Sequence, residues 1–127
     1  MMREMFIGKL HGGTITDARL DYRGSITIDA DLLDRAGILV HQRVQVLDVA
    51  NGHRFETYTI PGRRGGREIV INGAAARLAQ KGDAVIIIAY ALLDDAELAA
   101  HRPRVVILGP DNTVSEELRP DGMPPSA

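Results

Sequence analysis

The stretch Asp21-Tyr22-Arg23-Gly24-Ser25-Ile26-Thr27-Ile28 places a Gly-Ser pair at the mouth of an alternating apolar strand. Such a peptide bond can do chemistry on itself. If Gly24 holds a backbone conformation closed to residues with a Cβ, the Ser25 hydroxyl can be aimed at the carbonyl carbon just before it. Attack there converts the amide into an ester. Elimination across Ser25 then splits the chain, and hydrolysis of the resulting dehydroalanine leaves a ketone-bearing pyruvoyl group at the new amino terminus. That ketone would serve as an electrophile and electron sink for an amine-bearing substrate. Most Gly-Ser pairs are only turns before strands, so the reading depends on what the rest of the chain supplies.

A second concentration of polar chemistry lies in residues 53–60, His-Arg-Phe-Glu-Thr-Tyr-Thr-Ile. On a two-residue strand period, Arg54, Glu56 and Tyr58 share one face while Phe55, Thr57 and Thr59 share the other. A site using both Thr57 and Tyr58 needs a twist or a strand end, which Pro61-Gly62 is expected to provide. Lys9 and His11 are also two apart, the spacing that brings polar side chains together on one side of a sheet. His11 alone reads as a structural histidine. Lys9, within an otherwise apolar strand, should meet an anion or reach solvent. In Asn72-Gly73-Ala74-Ala75-Ala76 the small side chains let a ligand approach the backbone, where amides at a helix start could cradle a carboxylate.

The elements that must position these groups follow from pattern. Residues 5–9 and 14–16 read as strand pieces interrupted by a bulge or turn at Gly12-Gly13. Asp29 through Gly37 carries an acidic cap, an apolar pair and a terminating glycine, the marks of a short helix. Val44, Val46 and Val49 flank a strand ending in the hairpin dipeptide Asn51-Gly52, where the chain reverses. The arginine- and glycine-rich loop 61–67 should be exposed and mobile. It leads to a strand at 68–71, a short helix at 74–80 and a core strand at 83–92. A helical turn near 94–101 and a last strand at 104–108 complete the domain. From residue 109 onward, four prolines predict a loosely ordered tail.

Composition sets the class. The 127 residues suit one domain, read as residues 1–108 followed by the tail 109–127. Hydrophobic residues make up 45% and aromatics only 4%, so the core must be aliphatic. Fifteen basic residues against seventeen acidic ones, with only Lys9 and Lys81 as lysines, argue against a nucleic-acid partner. Without cysteine, thiol nucleophiles, disulfides and cysteine-ligated metals are excluded. No metal site is expected. The charged amino terminus lacks a signal-like apolar run, which predicts a cytoplasmic protein with no membrane contact. Many short strands with two or three brief helices predict a mainly β fold, a small closed or nearly closed β-barrel.

Taken in order, Gly8-Lys9-Leu10-His11, Tyr22-x-Gly24-Ser25, Asn51-Gly52-x-Arg54-x-x-Thr57-Tyr58 and Asn72-Gly73-Ala74-Ala75-Ala76 make the chain resemble the bacterial pyruvoyl-dependent aspartate 1-decarboxylases across about residues 1–108. Gly12 and Gly66 depart from the arginine and serine common in that family. The resemblance implies a six-stranded double-psi β-barrel, a homotetramer and self-cleavage between Gly24 and Ser25. It also implies conversion of L-aspartate to β-alanine and carbon dioxide, the route into pantothenate. Ser25 would become the pyruvoyl group, and maturation would be spontaneous or need a partner protein. Arg54, with its planar fork, and Lys9, as a point charge, would hold carboxylates. Tyr58 would return the proton, since a phenol keeps its proton at neutral pH and can donate it. Thr57 would hydrogen-bond the oxyanion formed on Gly24. His11, Thr57, Asn72 and the amides of Gly73, Ala74 and Ala75 would position substrate. Two other readings remain: an uncleaved β-barrel acting as a binding or regulatory module, and a relative that cleaves without decarboxylating.

Overall fold

Alternating aliphatic strands assemble into one mixed sheet in the computed structural model, which describes residues 1–120. Nine strands occur among the described residues: β1 (Arg3–Thr14), β2 (Asp17–Arg19), β3 (Ser25–Asp29), β4 (Arg43–Asp48), β5 (Arg54–Gly62), β6 (Ile69–Asn72), β7 (Ala84–Leu93), β8 (Arg104–Leu108) and β9 (Val114–Leu118). Their order across the sheet is β2-β6-β3-β5-β4-β7-β1-β8-β9. β2 and β9 stand at opposite ends, so the sheet is not closed on itself. The expected mainly β class holds, whereas the expected six strands are nine. Three pairs run parallel (β1 with β8, β2 with β6, β3 with β5) within an otherwise antiparallel arrangement.

The core is aliphatic, as the scarcity of aromatics requires. Leu10, Ile26, Ile28, Val44, Val46, Ile69, Ile71, Val85, Ile87 and Val106 are all buried. Each such side chain withdrawn from water contributes roughly 1.5–3 kcal/mol before the cost of ordering it. Helix α1 (Ala30–Ala36) adds Leu32, Leu33 and Ala36 to this core. It starts where the Asp29 carboxylate accepts the Asp31 amide and stops at Gly37, whose φ of 69° only glycine adopts cheaply. A second short helix, α2 (Asp95–Ala99), opens on a reciprocal capping box between Asp94 and Glu97.

Several elements differ from the sequence reading. Gly12-Gly13 does not divide two strands. β1 runs through as one twelve-residue strand, with register shifts between Phe6 and Gly8 and between His11 and Gly13. Pro61-Gly62 ends its strand as expected, but from within: β5 runs to Gly62 and stays paired in parallel with β3 to that point, with Pro61 opposite Ile28. An edge of hydrogen bonding that needs no proline N–H tolerates this. The helix expected at 74–80 is a five-residue 3-10 turn, Gly73–Arg77. The loop 63–67 is anchored rather than free: the Asp29 carboxylate accepts the amides of Gly65 and Arg67, and Arg64 pairs with Asp31 and Asp34.

Order also extends past residue 108. β9 pairs with β8, and Asn112 is 1% exposed. Its side chain accepts from the Thr14 amide and donates to the carbonyls of Thr14 and Arg67. Residues 121–127 of the expected tail lie outside the described residues. Among the described residues no helix is long and apolar enough to cross a membrane.

Candidate active site

Ser25 opens β3, and its burial follows from its neighbours: β3 lies between β5 on one side and β6 on the other. Ser25 is 1% exposed although Gly24 before it is open to solvent. Directly across the antiparallel β3–β6 pair stands Asn72, the last residue of β6. One Asn72 Nδ2 donates to two hydroxyls, Ser25 Oγ at 3.1 Å and Thr27 Oγ1 at 3.0 Å. Ser25 Oγ in turn donates to the Arg23 carbonyl at 3.2 Å. Asn72 Oδ1 is buried without a hydrogen-bond partner. A buried amide oxygen left unpaired is costly, so it marks a place where a further donor would be welcome.

The demand for glycine falls elsewhere than expected. Gly24 does not occupy the left-handed region, and a Cβ built on it would meet nothing within 4 Å. Gly73 carries the constraint instead. Its φ is +77°, and a Cβ there would lie 2.7 Å from both the nitrogen and the Cα of Gly24 and 3.0 Å from the Tyr22 carbonyl. The backbone before Ser25 is thus braced by a bare Cα on the turn that follows β6. Beside it, the Arg19 guanidinium stacks 5.4 Å above the Tyr22 ring.

β5 supplies the other flank. Its parallel pairing with β3 begins at Ile26 opposite Thr59, so Thr57 and Tyr58 are the two residues of β5 just before the paired stretch. Thr57 is half-buried while Tyr58 is 40% exposed, consistent with opposite faces in mid-strand. Thr57 and Tyr58, with Arg43 and Glu56, line an open groove of about 450 Å³. Tyr58 meets the His41 ring edge-on, with centroids 6.3 Å apart.

The remaining predicted residues are not gathered here. Arg54 is exposed at the hairpin end of β5, opposite Leu47. Lys9 and His11 do share a face of β1, half-buried, but β5, β4 and β7 separate β1 from β3 in the sheet. Among the described residues no hydrogen bond or ion pair joins Lys9, His11 or Arg54 to Ser25. Ala74 is exposed and Ala75 packs toward the core, while Gly73 lies against the Gly24 backbone. Thr27 is the residue the sequence reading passed over. Its signal was present, since a residue two beyond Ser25 on a strand shares its face.

Comparison with known proteins bears on this arrangement. The family model described as aspartate decarboxylase matches residues 1–115. The aspartate 1-decarboxylase of Bacillus subtilis (strain 168) is 52% identical over 118 residues, covering 93% of each chain. That of Neisseria meningitidis serogroup C / serotype 2a (strain ATCC 700532 / DSM 15464 / FAM18) is 52% identical over 116 residues, 91% of each. That of Clostridium beijerinckii (strain ATCC 51743 / NCIMB 8052) is 52% identical over 116 residues, 91% of this chain and 94% of its own. Matches of this extent span every strand from β1 to β8 and the whole Ser25–Asn72–Gly73 cluster, and they place the chain in the aspartate decarboxylase family.

Proposed function

We propose that the chain decarboxylates L-aspartate to β-alanine and carbon dioxide by means of a pyruvoyl group made from Ser25 after cleavage of the Gly24–Ser25 bond. The observation that carries this is the near full-length match to enzymes named aspartate 1-decarboxylase, and within the chain Ser25 is buried directly after an exposed glycine. The surroundings of Ser25 fit such a group: the Asn72 amide donates toward it, Asn72 Oδ1 has no partner, and the bare Gly73 leaves the adjoining backbone no room to shift. A pyruvoyl group supplies a ketone that can hold a substrate amine and accept the electrons released as carbon dioxide departs.

The chain's own residues do the rest. For self-cleavage, the half-buried Thr57, two residues before the stretch of β5 that pairs with β3, offers a hydroxyl to the oxyanion that forms as Ser25 attacks. For turnover, Tyr58, next to the Thr59 that pairs with Ile26, is an O–H donor for returning a proton to the substrate carbon. Arg54 grips one carboxylate through its fork, and Lys9 and His11 add a charge and a hydrogen-bonding ring. Asn72 and the backbone of Gly73, Ala74 and Ala75 position substrate. The resemblance implies assembly as a homotetramer, and β1 stands apart from β3 in the sheet of one chain, so in such an assembly Lys9 and His11 of one copy would serve another. The three parallel strand pairs support a double-psi arrangement, and the lack of a membrane-crossing helix among the described residues is compatible with a cytoplasmic enzyme.

Purified wild-type chain should resolve by intact mass into residues 1–24 and a pyruvoyl-started 25–127, and should release β-alanine from aspartate. Ser25→Ala should stay at full mass and release none. If maturation needs a partner protein, wild type splits only when lysate is added. Turnover by a chain of full mass would overturn the pyruvoyl reading, and two fragments without turnover would mark a relative that cleaves without decarboxylating. Full mass without turnover, with or without lysate, would favour a binding module.

A further inference from the structure

The Asn72 side chain has two N–H bonds, and both are spent on one strand: 3.1 Å to Ser25 Oγ and 3.0 Å to Thr27 Oγ1. Ser25 and Thr27 are alternate residues of β3 and present their hydroxyls on the same face. An N–H aimed at Ser25 Oγ matters for attack on Gly24. As the hydroxyl gives up its proton, negative charge gathers on Oγ, and a fixed donor stabilises it without having to reorient. The same amide turned over would present Oδ1, whose negative end opposes that charge. Asn72 Oδ1 has no partner of its own, so nothing on its far side fixes which way the amide faces. The second anchor is Thr27.

We propose that Thr27 is a positioning residue for self-cleavage, holding the Asn72 amide so that its N–H points at Ser25 Oγ. The inference rests on the reading that Ser25 is the residue that cleaves the chain. Thr27 does not touch the scissile bond; it acts through Asn72. Replacing Thr27 by valine keeps the branched shape that suits a central strand and removes only the acceptor. One Asn72 N–H is then buried against a methyl group, and the amide has lost half of what orients it.

The test follows conversion of full-length precursor to the two fragments by intact mass over time, in wild type, Thr27→Val, Thr27→Ser, Asn72→Ala and the Thr27→Val/Asn72→Ala double variant. Thermal unfolding of each precursor is measured alongside. Thr27→Val should cleave about tenfold more slowly, the scale set by one unmade buried hydrogen bond, with a melting temperature lowered only by the few degrees that one unmet buried N–H costs. Thr27→Ser should cleave near the wild-type rate, because its hydroxyl can still accept. The double variant should cleave no more slowly than Asn72→Ala alone, since a residue acting through another adds nothing once that other is gone. A wild-type chain that never splits overturns the cleavage reading and this inference with it. Wild-type splitting with Thr27→Val equally fast, or full additivity in the double variant, overturns this inference alone.

Discussion

Asp48, at the end of β4, is 1% exposed, and its Oδ2 has no hydrogen-bond donor. Its Oδ1 caps the Asn51-Gly52 turn by accepting the Ala50 amide. Burial pushes the Asp48 carboxyl up from the usual 3.8, and a hydrogen bond to the neighbouring Asp83 carboxylate pushes the same way. Asp83 is held down, chiefly as the acceptor of that bond and also by the Gln80 amide. One proton shared by two carboxylates suits both shifts. The signs then follow. Asp48 contributes stability that is fully present below its unfolded value and is lost as pH rises through its raised folded value. Asp83 behaves oppositely, losing its contribution as pH falls through its lowered one. Asp48→Asn keeps the Oδ1 cap and supplies a permanent N–H donor to Asp83. The variant's melting temperature should therefore hold from about pH 4 up to neutrality while that of wild type declines. Parallel curves for the two proteins over that range would rule out the shared proton.

At the scale of elements, β1 and α1 meet where Gly8 faces the end of the helix. A Cβ on Gly8 would lie 2.1 Å from the Ala36 carbonyl oxygen and 3.2 Å from Ile38 Cγ1. The obstacle is backbone at a helix terminus already fixed by Gly37, so no side chain can swing aside. Gly8→Ala should cost about 1–3 kcal/mol or more by denaturant unfolding, the range for forcing atoms into a filled site. An unchanged midpoint would show that α1 moves freely against β1. The same contact explains why glycine stands in Gly8-Lys9-Leu10-His11: Gly8 admits the helix, Leu10 fills the core, and Lys9 and His11 are left on the alternate face.

For the molecule as a whole, the segment after β8 closes one end of the structure. Asn112 ties the end of β1 to Arg67, and Arg67 is tied through Asp29 to the end of the strand that Ser25 begins. A chain stopped after Leu108 should lose on the order of 3 kcal/mol, about 1 for each of three buried hydrogen bonds, besides the β8–β9 pairing. Denaturant unfolding of residues 1–108 beside the 127-residue chain measures this. Equal stability would mean that Asn112 only decorates a domain complete without it.

Motif order alone pointed to the family, because Ser25, Tyr58, Asn72 and Gly73 are read as residue types at chain spacings. The period of β5 and the caps of α1 were equally legible, since both depend on neighbours within a few residues. What only the tertiary structure decided involves partners far apart in sequence. The glycine requirement at the Ser25 junction belongs to Gly73, because steric closeness is settled by which strand lies alongside, and β6 comes from more than forty residues away. Thr27 gains its meaning from sharing one amide with Ser25, a contact made only when β3 and β6 pair antiparallel in this register. The ordered strand β9 was hidden by the surrounding prolines, since its order comes from β8 and a buried Asn112 rather than from its own polar sequence.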